Sequence, residues 1–101
     1  MNMNITEDII RNLLDTLVTP KYSDIIYRYH IEIDNNSTVM GKPLIRINVD
    51  VDSMMVHEYN MMRQIENMEN FVTVTSEIET KIKQAIKYLS TSYTLVQFRK
   101  A

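Results

Sequence analysis

The side chains that could do chemistry are concentrated in two short segments in which every second residue is polar. These polar positions are Arg28, His30, Glu32 and Asp34 in the first segment, and Arg46, Asn48, Asp50 and Asp52 in the second. An imidazole, carboxylates two residues apart and arginines are what acid–base catalysis, a hard metal ion or an anion would need. A sheet with one solvated face carries the same groups as ordinary cross-strand ion pairs. We favour that structural interpretation and predict no catalytic residue and no metal ligand.

The metal-site alternative rests on Asp50 and Asp52, which could share a magnesium or manganese ion on one side of a strand, with His30, His57 or Glu32 nearby. It would make the protein a metal-dependent hydrolase or nuclease. However, Asp52 followed by Ser53 is also typical of a strand end that leads into a helix N-terminus. We therefore expect Asp52 to cap a helix, and the hydrolase stays an alternative.

Known catalytic motifs are missing from the sequence. It holds one glycine and no cysteine, and it contains no Walker loop, glycine-rich dinucleotide turn, G-x-S-x-G elbow or H-E-x-x-H motif. We accordingly expect a protein that is not an enzyme and that takes no cofactor.

Charge and composition bear on partners and location. The net charge is −2, from 11 basic and 13 acidic side chains, so no basic excess favours a phosphate backbone. RNA or single-stranded DNA binding through Arg28 and Arg46 beside Tyr27 or Tyr29 is a third, weaker hypothesis. The lack of cysteine and of an apolar run of about 20 residues predicts a cytoplasmic protein with no membrane contact.

Alternation identifies the elements that hold the polar groups. Asp24–Asp34 and Leu44–Asp52 read as two strands of a hairpin, with Ile31 and Ile47 facing the core and Tyr27 on the same apolar face. Their link, Asn35–Pro43, contains Gly41 and is long for a hairpin. Either the strands extend into it or it projects as a finger.

Helical spacing predicts three helices around this hairpin. The first begins at a cap, Asn4 or Thr6, and ends near Val18 before Pro20. Ser53–Asn70 reads as a second helix, although a strand over Met54–Met61 is the competing interpretation.

The last helix and the last strand complete the predicted order. Ser76 and Glu79 form a capping box that should begin the helix, which leaves Phe71–Val74 as a short strand or a linker. Tyr93–Lys100 alternates again and predicts a last strand. Together these elements predict that residues 1–101 form one α+β domain of order α-β-β-α-α-β, whose three-stranded, mainly antiparallel sheet is packed on one face by helices.

Two groups of residues are predicted to form an interface. One is the polar sheet face with Arg28, Glu32, Arg46 and Asp50, and the other is the methionine-rich segment with Met54, Met55, Met61 and Met62. We expect a structural or interaction module that forms a homo-oligomer or joins a multi-protein assembly. The bias toward Ile, Asn and Met, and an element order broadly similar to that of small head–tail connection proteins of tailed phages, favour a phage or virus particle component of the head–tail connection or tail type.

Overall fold

The computed structural model describes residues 6–39, 42–62, 70–87 and 93–101. The elements in chain order are α1 (Glu7–Leu17), a 3₁₀ turn (Thr19–Lys21), β1 (Ile26–Val39), β2 (Lys42–Val51), α2 (Ser53–Met62), α3 (Asn70–Ala85) and β3 (Tyr93–Lys100). This order confirms the predicted α+β class and the sequence α-β-β-α-α-β. No helix among the described residues is long and apolar enough to cross a membrane.

The three strands form a mixed sheet with β2 in the centre. β1 pairs with β2 antiparallel, as the hairpin predicts, and β3 pairs with the other edge of β2 in parallel. The expectation of a mainly antiparallel sheet therefore holds for only one of the two pairings. The alternation of apolar and polar residues is the same in parallel and antiparallel strands, so it does not reveal the direction of β3. The two helices between β2 and β3 return the chain to the end of the sheet at which β2 begins, and β3 can therefore run parallel to β2.

The hairpin register places Ile31 opposite Ile47. Both residues pack at the core, which confirms the side of the sheet predicted for them. Both strands continue into the expected loop: Val39 lies opposite Lys42, after a register shift between Asp34 and Thr38. The first of the two loop interpretations is thus confirmed. Gly41 lies outside the described residues.

The start of β1 departs from simple alternation. A register shift lies between Ile26, which faces Val51, and Arg28, which faces Asp50. Ile26 is consequently buried together with Tyr29, while Tyr27 is exposed. The predicted position of Tyr27 on the apolar face is wrong, because an extra residue in one strand reverses the side to which the neighbouring side chains point.

The core lies between one face of the sheet and the helices. Ile10 and Leu14 of α1, and Val18 that follows it, are fully buried in the same core cluster as Ile47 and Val49 of β2. Thr6 is the N-cap of α1, and its hydroxyl accepts the amide proton of Ile9 at 3.3 Å. The predicted extent of this helix is confirmed.

The two other helices confirm one prediction and correct another. Residues 53–62 are helical, so the strand interpretation of Met54–Met61 is wrong; residues 63–69 lie outside the described part of the chain. Helix α3 already includes Asn70, so Ser76 is not its cap and Phe71–Val74 is neither strand nor linker. Val74 is fully buried, as are Ile78 and Ile82 one and two turns on, and this burial outweighs the β-propensity of the segment.

Candidate functional site

The side of the sheet away from the helices, here called the outer face, collects the polar groups of all three strands. Its rows across β1, β2 and β3 are Arg28–Asp50–Arg99, His30–Asn48–Gln97, Glu32–Arg46–Leu95 and Asp34–Leu44–Tyr93. All described helices contribute their buried residues to the core on the opposite side. Within the described residues, the outer face is therefore an uncovered sheet surface.

Asp50 is the centre of an ion cluster on this face. Its side chain is about 5 % exposed, although it lies on the solvent side of the sheet. The Arg99 guanidinium donates from Nε to Oδ1 at 2.9 Å and from a terminal nitrogen to Oδ2 at 3.0 Å. His30 Nε2 lies 3.1 Å from Oδ2, and Arg28 Nε lies 3.6 Å from the same oxygen.

The strand arrangement explains why these groups meet. The antiparallel pairing puts Arg28 directly opposite Asp50, and the parallel pairing puts Arg99 opposite Asp50 on the other side. A central-strand carboxylate thus receives one arginine from each neighbouring strand. Arg99 was not among the predicted site residues, because its partner depends on the register of β3. The only signal in the sequence was its place on the polar side of the last alternating segment.

The cluster keeps Asp50 charged in spite of its burial. The two hydrogen bonds from Arg99 are the main cause of a lowered pKa of Asp50; the bond to His30 acts in the same direction, and burial opposes both. The pKa of Arg99 is raised in return by Asp50. A bidentate pair of this kind is directional and holds the guanidinium in one orientation on the outer face.

Asp52 serves a different purpose from Asp50. Its Oδ1 accepts the backbone amides of Met54 at 2.9 Å and Met55 at 3.2 Å, and its Oδ2 accepts the hydroxyl proton of Tyr27 at 3.0 Å. These bonds, with the Met55 amide first, lower the pKa of Asp52. Asp52 therefore caps α2, as predicted.

The carboxylates of the metal-site alternative are engaged with protein donors. Both oxygens of Asp50 and both oxygens of Asp52 accept hydrogen bonds. His57 is exposed on α2. The described residues contain no group of three or more His, Asp or Glu side chains that could hold a metal ion. A metal bound at Asp50 or Asp52 would have to compete with arginine or with the helix cap.

Glu32 and Arg46 differ from the cluster in that neither has an ion-pair partner in the described part of the chain. They lie directly opposite each other in the hairpin register and both are exposed. Neither forms an ion pair with a described residue. Each can therefore meet an opposite charge from outside the chain at little desolvation cost.

The methionine segment lies on a different surface from the predicted polar residues. Met54 and Met61 are 74 % and 59 % exposed, whereas Met55 packs against the core beside the buried Val56. The side chain of Met62 lies outside what the structure describes. Since α2 packs against the core, the structure divides the predicted interface between the outer face and the solvent side of a helix.

A scan against protein-family models and searches of curated proteins and of solved structures find no match to this chain. The function is therefore inferred from the geometry of the outer face. That geometry defines a polar surface with an ion cluster around Asp50. Two rows away it carries charges of both signs, Glu32 and Arg46, that form no ion pair with a described residue.

Proposed function

We propose that this protein is a non-catalytic interaction module that docks through the outer face of its sheet as a subunit of a larger assembly. The observation that carries the proposal is the combination of the ion cluster of Asp50 with Arg28 and Arg99 and, two rows away, Glu32 and Arg46, which form no ion pair with a described residue. Pre-organised charges lose little side-chain entropy when a partner binds, and they determine which partner fits.

The partner that best complements the Glu32 row is a second copy of the chain. Glu32 and Arg46 lie side by side, so a second copy that is related by a twofold axis can place its Arg46 on Glu32 and its Glu32 on Arg46. An isologous contact of this type needs a surface that carries both signs. The outer face meets that requirement without any other protein.

The biological setting belongs to the same proposal. The chain length and the Ile, Asn and Met bias support a component of a phage or virus particle, of the head–tail connection or tail type. The protein would then act in the cytoplasm of the cell that makes it and in the virion. The described residues hold no membrane-spanning helix, which is compatible with this setting.

Charge reversal at Arg46 tests the docking. Arg46→Glu places a like charge opposite Glu32 of the second copy and should abolish association through the face, while the fold is retained. Lys81→Glu is the matched control, because Lys81 is exposed on α3 and undergoes the same change of sign. Glu32→Arg combined with Arg46→Glu exchanges the two charges and should restore association.

Sedimentation velocity at low salt and circular dichroism measure association and folding on the same samples. We expect a larger mass at low salt than at high salt for the wild type, for the Lys81 control and for the exchanged pair, and the loss of this increase for Arg46→Glu alone. Unchanged assembly of Arg46→Glu would contradict docking through this face.

A further inference from the structure

The two edges of the sheet are protected to different degrees. On the β1 side, α1 packs beside the strand, and a terminal nitrogen of Arg11 donates to the backbone carbonyl of Tyr29 at 3.3 Å. On the β3 side, the strand pairs with β2 alone, and its outer edge has no backbone partner among the described residues. Among the described residues, Arg11 thus contacts the outer edge of β1 at one carbonyl, whereas the outer edge of β3, here called the open edge, has no backbone partner.

The open edge lacks the devices that normally prevent strand addition. No proline and no charged residue occurs over the six residues from Tyr93 to Phe98; Arg99 and Lys100 follow at one end. Tyr93 and Leu95 are 47 % and 40 % exposed on the outer face beside this edge. An edge with unpaired N–H and C=O groups and exposed apolar side chains is a template for another strand.

We propose that β3 pairs antiparallel with β3 of a second copy, around a twofold axis at Val96. Residues directly opposite each other in an antiparallel pair point to the same side of the sheet, whereas successive residues of one strand point to opposite sides. A twofold axis perpendicular to the sheet must therefore relate a residue to its own copy, and cannot lie midway between two successive residues. Centring on Val96 places the Val96 side chains together on the core side.

The charges at the end of β3 favour the antiparallel direction of pairing and a twofold axis at Val96. A parallel pairing would set Arg99 and Lys100 beside the same residues of the second copy, whereas the antiparallel pairing separates them. With the axis at Val96, Tyr93 lies opposite Arg99, whose guanidinium is already fixed by Asp50 and can stack on the ring. Leu95 lies opposite Gln97 on the same face.

The product is a six-stranded sheet with one continuous outer face. This dimer would be the unit that assembles further through the outer face, and in that respect the edge pairing rests on the proposed function. It concerns the edge of the sheet rather than its face, and pairing through backbone hydrogen bonds is insensitive to salt. The two proposals can therefore fail separately.

The test uses two double variants on the exposed outer side of β3. Leu95→Lys with Gln97→Lys puts lysines opposite each other twice across the axis and should abolish the dimer. Leu95→Glu with Gln97→Lys has the same two sites substituted but gives opposite charges across the axis, and should restore it. The two variants differ at one residue, so the second controls for any loss of fold.

Sedimentation of the full wild-type chain at high salt, where docking through the charged face is screened, isolates the edge, and the expected mass is twice 11.9 kDa. Salt would also screen the charges added to β3, so the two double variants are compared at low salt in a chain that carries Glu32→Arg, which removes docking through the face by charge reversal. There we expect a dissociation constant raised by about tenfold or more for the Lys–Lys variant and near the value of the Glu32→Arg parent for the Glu–Lys variant. A wild-type monomer at high salt, or a Lys–Lys variant that dimerises as well as the Glu–Lys one, would overturn the inference. Loss of larger species in Arg46→Glu with the dimer intact would support both proposals, whereas a dimer that never grows at low salt would refute the face alone.

Discussion

Asp50 is the residue on which the order of the outer face depends. A carboxylate that its neighbours cover this fully would be costly if left unpaired, and Arg99 compensates by two hydrogen bonds from one guanidinium. The same contact orients Arg99 toward solvent, where a partner can reach it. The Asp50 carboxylate that stabilises the fold thus also fixes the orientation of Arg99 on the outer face.

The lowered pKa of Asp50 predicts a specific pH dependence of stability. Because the folded state holds this proton more weakly than the unfolded state, the stabilising contribution is complete above the ordinary aspartate pKa of about 3.9. It is lost as the pH falls through the lower folded value. Asp50→Asn should reduce the free energy of unfolding by about 1–3 kcal/mol at neutral pH, and its difference from the wild type should shrink in acid.

Urea unfolding of both proteins between about pH 7 and pH 2 measures this difference. Glu32→Gln is the control, since Glu32 is exposed and has no ion pair with a described residue; it should change stability by no more than about 0.5 kcal/mol. A gap between wild type and Asp50→Asn that stays constant with pH would argue against the cluster.

At the scale of elements, α2 depends on its first turn. Asp52 accepts two amide protons there, and Tyr27 holds its second oxygen. Asp52→Ala should lower the melting temperature and increase hydrogen exchange at the amides of Met54 and Met55 first, because these lose their acceptor. Ser53→Ala is the adjacent control, and equal exchange in the two variants would show that the cap contributes nothing.

The start of α3 gives an opposite prediction for a similar change. If Ser76 were a cap, Ser76→Ala would cost about 1 kcal/mol. Ser76 instead lies within the helix and is exposed, so alanine should stabilise the protein by up to about 0.5 kcal/mol. Thermal unfolding distinguishes the two signs, and a clear destabilisation would place the helix start near Ser76.

These elements show what local patterns can and cannot predict. The hairpin with Ile31 and Ile47 on its core side and the helix cap at Asp52 follow from alternation and from residue type. The parallel direction of β3 depends on how the two helices return the chain to the sheet, and no local sequence pattern encodes this path. The contact of Arg99 with Asp50 depends on the same path and could not be predicted either. The helical Phe71–Val74 segment depends likewise on burial against distant residues.

At the scale of the whole molecule, the two proposed contacts differ in their physics: one is between charges on the outer face, and the other is backbone pairing at the β3 edge. A twofold contact at the β3 edge alone makes a closed dimer, and a twofold contact at the outer face alone makes another. Only both together extend to larger species. Salt should separate them, because it screens the Glu32 and Arg46 charges and leaves the backbone pairing of β3 unaffected.

The most direct test of the central claim is the mass of the wild-type chain in solution at low and at high salt, followed by light scattering across a concentration series. Docking through the outer face predicts a larger mass at low salt than at high salt, and Arg46→Glu should show the high-salt mass at both conditions. A single mass that depends neither on salt nor on Arg46 would contradict the assignment of the outer face as the docking surface.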